Sequence, residues 1–148
     1  MPRRPLLGSL TAAGLLLATA SCGTPALELD PVTASPGTGD YCARLDEVLP
    51  AAVAGQPLRR VEPASAGHAW GDPAIVLRCG VAEPAALRPD SRLADVDGIG
   101  WFDQERQDAI VFTTVGREVD VEVTVPGDYA PEADALADLS SALERAGG

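Results

Sequence analysis

The side chains able to do chemistry are few and scattered. His68 is the one histidine of the chain. As a general base it needs a nucleophile and an orienting acid, and Ser65, Asp72 and Ser91 are the polar groups on offer. No Gly-x-Ser-x-Gly elbow accompanies them, so His68 reads as a surface or strand-edge residue. Asp95-x-Asp97-Gly98, with Asp103 and Glu105 beyond it, has the opening of a calcium loop. Counting from Asp95, the fifth position is Ile99 and the twelfth is Arg106, where an EF-hand requires oxygen ligands. The EF-hand is excluded; a carboxylate-solvated turn or an irregular cation site remains. With a single His and no Cys-x-x-Cys, a zinc centre is not expected. No catalytic residue, metal ligand or cofactor is assigned.

Aromatic residues are scarce, six in all, and Trp70-Gly71-Asp72-Pro73 and Trp101-Phe102 hold three of them. A Trp in so small a set belongs first to the core. Beside Gly and Pro on a loop it becomes a candidate ligand platform. The candidate binding set is therefore Trp70, Asp72, Trp101 and Arg117, expected to converge on one pocket.

The elements that position these residues follow from pattern. Asp40 is placed to cap a helix starting near Tyr41, with Cys42, Leu45, Val48, Leu49 and Val53 on one side and Pro50 ending it near Leu49. Strands are expected at Leu58–Val61 and Ala74–Cys79, and a loop over 83–97. Residues 118–125 alternate without a break, as a strand with one wet and one dry face must. With Gly116-Arg117 as a two-residue type II′ turn, Thr114 falls opposite Val119, Phe112 opposite Val121 and Ile110 opposite Val123. After Pro131 a helix carries Leu136, Leu139 and Leu143 at spacings of three and four, with Gly147 as its stop. The expected fold class is α+β: a small antiparallel sheet packed against an N-terminal and a C-terminal helix, with one disulfide.

The first residues read as an address. Arg3 and Arg4 precede an apolar run from Leu6 to Ala20, about fifteen residues against the roughly twenty that span a bilayer. This fits a signal peptide over 1–21. The sequence Thr19-Ala20-Ser21-Cys22 resembles the lipobox of bacterial lipoproteins, departing from it at Thr19, where a branched aliphatic residue is usual. The resemblance implies lipid attachment at Cys22. Residues 22–39, rich in Pro, Gly and Thr, read as a flexible tether holding a single domain (40–148) roughly 20–25 Å from its anchor.

All eleven basic residues are Arg, against twenty-two acids, for a net charge of −11. Loss of residues 1–21 removes two Arg and no acid, leaving −13. So acidic a chain makes a poor nucleic-acid partner and is repelled by anionic lipid. The anchor must be the acyl chains, each buried methylene adding about 0.8 kcal/mol. With Cys22 assigned to lipid, Cys42 and Cys79 form an even remainder, which outside the cytoplasm suggests a disulfide; two buried free thiols are the alternative.

The order of landmarks is itself informative. Cys42-x-x-Leu45-x-x-x-Leu49-Pro50 leads to Gly55 and Arg59-Arg60. Then come Ala69-Trp70-Gly71-Asp72-Pro73, Arg78-Cys79-Gly80-Val81, Asp97-Gly98-Ile99-Gly100-Trp101-Phe102 and Thr113-Thr114-Val115-Gly116-Arg117. This order resembles the actinobacterial envelope proteins grouped as domain of unknown function 3515, over most of 41–145. The resemblance implies a small exported or membrane-attached protein and carries no activity with it. The expected role is a lipid-anchored, non-enzymatic binding or accessory module, its partner an envelope protein or small ligand. The alternative is a carboxylate-dependent cell-wall hydrolase or modifying enzyme, which requires two carboxyls about 5–10 Å apart across a cleft.

Overall fold

The structure, a computed structural model, describes residues 25–147. The expected signal peptide and Cys22 lie outside the described residues. Ten strands and two α-helices follow in the order β1 (Leu27–Glu28), α1 (Gly39–Val48), β2 (Ala52–Val53), β3 (Gln56–Arg59), β4 (Val61–Glu62), β5 (His68–Trp70), β6 (Ile75–Cys79), β7 (Ala94–Val96), β8 (Ile99–Arg106), β9 (Ala109–Thr114), β10 (Val121–Pro126) and α2 (Ala133–Gly147). Eight strands form one antiparallel sheet in the order β2-β3-β5-β6-β10-β9-β8-β7, and β1 pairs with β4 in parallel. Two helices, an antiparallel sheet and the disulfide are as expected; the sheet is wider than the small one foreseen, and no helix is described at the N-terminus. The first described helix begins at Gly39, after the β1 segment.

One face of the sheet carries the main core. Trp70, Ile75, Leu77, Trp101, Phe112, Val121, Val123 and Val125 pack there with Tyr41 and Leu45 of α1 and Leu136, Leu139 and Leu143 of α2. The helices also cap each other. Arg44 Nε donates to Ala146 O at 3.0 Å, and Arg145 Nη2 to Val48 O at 3.0 Å. Each guanidinium thus meets carbonyls left unpaired at the other helix's C-terminus. Cys42 of α1 and Cys79 of β6 form the disulfide, bridging 37 positions of sequence.

Four local expectations are corrected. Asp40 does not cap α1: Thr38 takes the cap position without a side-chain bond, and Asp40 lies inside the first turn, where an acid still suits the helix dipole. Residues 94–96, read as loop, form the edge strand β7, because Asp97 and Gly98 both adopt positive φ and close a tight hairpin onto β8. The 108–125 hairpin is shifted by two residues, with Phe112 opposite Val123 and Ile110 opposite Val125. A two-residue shift preserves which side chains face inward, and Val121, Val123 and Val125 are fully buried. The connection runs from Val115 to Asp120 instead of turning at Gly116-Arg117. Thr114 Oγ1 accepts the Val121 N–H at 2.9 Å, Val119 enters the core, and Arg117 reaches α2.

The fourth correction concerns the tether. From residue 25 onward it is a docked strap. Leu27 N–H donates to Arg60 O at 2.8 Å, Leu29 N–H to Glu62 O at 3.0 Å, and Ser35 N–H to Gly80 O at 2.9 Å. Leu27 and Leu29 lie on a second apolar cluster with Val61, Ala69 and Val76. Low-complexity composition concealed two leucines at a spacing of two, which is enough for one side of a short strand.

Replacing Cys42 and Cys79 together with Ser should lower unfolding stability by roughly 4 kcal/mol, as loop-closure entropy implies, read by urea denaturation. Wild type under reductant should match the double variant. Burial first and Glu83 second raise the Asp120 carboxyl above its ordinary value. The folded state thus disfavours the charged form, a penalty complete above the folded pKa and absent below the unfolded one. Asp120→Asn should raise the melting temperature at neutral pH. That advantage should vanish as pH falls through the folded pKa toward the unfolded range.

Candidate functional site

The four expected binding residues are not brought together. Trp70 in β5 and Trp101 in β8 are both fully buried in the core. Strands β6, β10 and β9 separate them, a distance of about 19 Å at ~4.8 Å per strand spacing. Trp70 donates its indole N–H to Pro50 O at 3.0 Å, fixing the chain where α1 has ended. Arg117 donates to Leu143 O at 3.1 Å and to Glu144 Oε1 at 3.0 Å, holding the end of α2. Trp70 and Arg117 thus hold the fold, and the Trp101 indole N–H is buried with no partner among the described residues. Asp72 alone of the four is open to solvent, with 80% of its side chain exposed.

Asp72 stands at the rim of a cleft of about 440 Å³ lined by Gln56, Leu58, Arg59, Arg60, Gly71 and Asp72. The sequence builds this rim closely. Gly71 has φ +74, and a Cβ there would lie 2.7 Å from the Tyr129 hydroxyl and within 2.9 Å of Gln56. Tyr129 donates that hydroxyl to Pro73 O at 2.7 Å. Burial first, then Asp128, hold its pKa above the ordinary phenol value, so it remains a donor across the physiological range. Arg59 donates to Gly71 O at 2.9 Å and lies 3.5 Å from Asp72. Only 13% of the Arg59 side chain is exposed, and its buried Nε has no partner among the described residues. The cleft therefore offers a fixed guanidinium beside an exposed carboxylate and the apolar Leu58. Such a set can hold a polar or zwitterionic group.

A second cleft, about 160 Å³, lies between α1, the strap and the turn before β5, with His68, Asp46, Ser65 and the disulfide on its walls. His68 Nε2 and Asp46 Oδ1 are 2.8 Å apart. The sequence sets His68 beside Ser65, Asp72 and Ser91 and does not show this pair. A signal existed. Cys42 and Asp46 are one helical turn apart and share a face, so the disulfide to Cys79 carries Asp46 toward the neighbouring strand, β5. A His–carboxylate pair can orient a general base, but no hydrogen bond joins Ser65 to His68 in the structure, and the space is below the ~300 Å³ of ordinary small-molecule sites. The pair reads as a clasp between α1 and β5.

The carboxylates of the alternative reading gather at the β8–β9 tip. Glu105, Asp108 and Asp128 line an open groove of about 560 Å³ there, and all three are solvent-exposed. Asp95, suspected as part of a cation site, accepts the Gly98 N–H at 3.2 Å and closes the β7–β8 turn. Among the described residues no cluster of His, Cys, Asp and Glu could hold a metal ion.

The remaining landmarks also acquire structural reasons. In Arg78-Cys79-Gly80, Arg78 pairs with Glu122 at 3.8 Å, Cys79 makes the disulfide, and Gly80 (φ +77) leaves room for Thr38, whose Oγ1 a Cβ would meet at 2.7 Å. The family model described as "Protein of unknown function (DUF3515)" matches residues 6–147, and the chain belongs to that family. No curated protein and no solved structure matches it.

Gly71→Ala should cost about 1–3 kcal/mol, since it adds both backbone strain and a clash. Tyr129→Phe, which removes one hydrogen bond, should cost about 1 kcal/mol. Urea unfolding curves check both, and a smaller loss for Gly71→Ala than for Tyr129→Phe would show that the rim is not held as described.

Proposed function

We propose that this protein is exported, lipid-anchored through Cys22 at the outer face of the cytoplasmic membrane, and serves there as a binding or accessory module of the cell envelope. The observation that carries this reading is the Cys42–Cys79 disulfide between α1 and the middle of the sheet. Such cross-links persist in oxidising compartments and are rare in the cytosol. Removing those two from the three cysteines leaves Cys22, the residue that directly follows the apolar run and Ala20-Ser21. An Arg-only basic set fits a high-GC actinobacterial source.

A binding role is favoured over catalysis by what the clefts contain. The Arg59–Asp72 cleft presents a fixed ion pair and exposed apolar surface, suited to recognition. The carboxylates at the β8–β9 tip are solvent-exposed along an open groove. At −13 after loss of residues 1–21, the domain suits an envelope protein or a small polar ligand and disfavours nucleic acid.

Cys22→Ser should move the protein from the membrane fraction to the soluble extracytoplasmic fraction, as followed by fractionation and immunoblotting. Undiminished membrane retention would overturn the anchor. In-cell crosslinking of the wild type should then recover one dominant envelope protein by mass spectrometry. Its absence, together with turnover of a cell-wall substrate by purified protein, would replace the binding role with the enzymatic one.

A further inference from the structure

The docked strap shortens the distance between anchor and domain. Leu27 pairs with Val61, and the strap's apolar side chains rest on Val61, Ala69 and Val76. The first described residue, Pro25, accepts a hydrogen bond from Arg59 Nη2 at 3.4 Å. The strap therefore enters the domain beside the Arg59–Asp72 cleft. Cys22 precedes Pro25 by three positions, so even fully extended chain separates them by no more than about 11 Å. The headgroup layer of a bilayer is itself roughly 5–8 Å deep. A domain acylated at Cys22 has no room to stand off from the lipid; the 20–25 Å expected of a free tether is reduced to about the depth of one headgroup layer.

Next to that entry point, Leu58 pairs with Trp70 and so stands on the helix-covered face of β3, while Arg59, paired with Ala69, stands on the strap's face. Leu58 is 52% exposed, one of only two large hydrophobic side chains so exposed among the described residues; the other is Leu93, 43% exposed. Arg60 is 76% exposed. Leu93 directly precedes β7, at the far end of the sheet. Six strand spacings separate β3 from β7, about 29 Å.

We infer that the end of the sheet at β2 and β3, formed by Pro57, Leu58 and Arg60 with the Gly71–Asp72 turn and so including the Arg59–Asp72 cleft, is the membrane-facing surface of the anchored domain, and that its occupant is the phospholipid headgroup layer. The inference rests on lipid attachment at Cys22. Electrostatic attraction is not its basis: Arg59 is paired with Asp72 and Arg60 lies 3.7 Å from Glu62, so this surface carries no excess of positive charge. The contact is imposed by the short leash and completed by Leu58, and added salt does not loosen it.

The test is hydroxyl-radical footprinting of the mature acylated protein on vesicles of phosphatidylglycerol and phosphatidylethanolamine, compared with soluble Cys22→Ser protein. Leu93 serves as the internal control. Oxidation of Leu58 should fall several-fold on the vesicles while Leu93 is unchanged, with no loss of protection as salt is raised. A Gly-Ser insertion of about 20 residues between Thr24 and Pro25, with a span of about 25 Å, should return Leu58 to its soluble reactivity. Absence of acyl mass on the N-terminal peptide would overturn both the anchor and this inference. Acylated, vesicle-bound protein in which Leu58 and Leu93 react as they do in solution would overturn this inference alone. Protection of Leu58 in cells but not on vesicles would assign this surface to a protein partner and overturn the lipid assignment.

Discussion

Much of this structure depends on the covalent tie between Cys42 and Cys79. An eight-stranded antiparallel sheet with one apolar face must be covered, and the chain has two helices of only ten and fifteen residues to do so. The disulfide fixes the shorter one over β6, near the middle of the sheet. Once α1 is there, Asp46 meets His68, and Arg44 reaches the end of α2 while Arg145 returns to the end of α1. The same tie brings Thr38 against Gly80, where the strap enters α1. A small domain gains little from burial beyond its entropic cost, so a cross-link that pins helix to sheet has effects well beyond its own two residues.

Arginine serves this domain as a carbonyl cap. Arg44, Arg117, Arg145 and Arg59 each donate to backbone carbonyls at helix ends or turns. The guanidinium presents several donors in a fixed fork and stays charged at any physiological pH, so one side chain can hold a carbonyl and a carboxylate together, as Arg117 does with Leu143 and Glu144. In a chain with twice as many acids as bases, committing these four positive charges to structure leaves the surface more acidic still. That surface disposes the protein toward neutral, polar or basic partners.

The strap links the fold to the proposed location. A free linker permits a domain to sample all orientations, whereas one that docks as a strand within a few residues of its anchor allows few. Leu27 and Leu29 cover the part of the outer sheet face near Ala69 and Val76, and Arg59 both receives the strap at Pro25 and shapes the cleft with Gly71 and Asp72. Cleft, strap and chain entry are therefore one structural unit.

The sequence alone determined what is local or compositional. Alternation over 118–125 indicated a half-buried strand, which forms at 121–126, leucines at 136, 139 and 143 required an amphipathic helix, and Pro50 required α1 to stop. The even pair Cys42 and Cys79 indicated the cross-link, and the order of landmarks indicated the family. Each of these depends on a period or a backbone restriction that acts within a few residues. Tertiary structure decided everything that depends on which distant segments meet. Thr114 captured the Val121 N–H and moved the hairpin by two residues; Leu27 and Leu29 turned a linker-like stretch into a strap; Trp70 and Trp101 went into the core some four strands apart instead of converging. Sequence spacing carries no information about strand order, and the sheet order, which places β10 between β6 and β9, is settled by how the apolar faces close around one core.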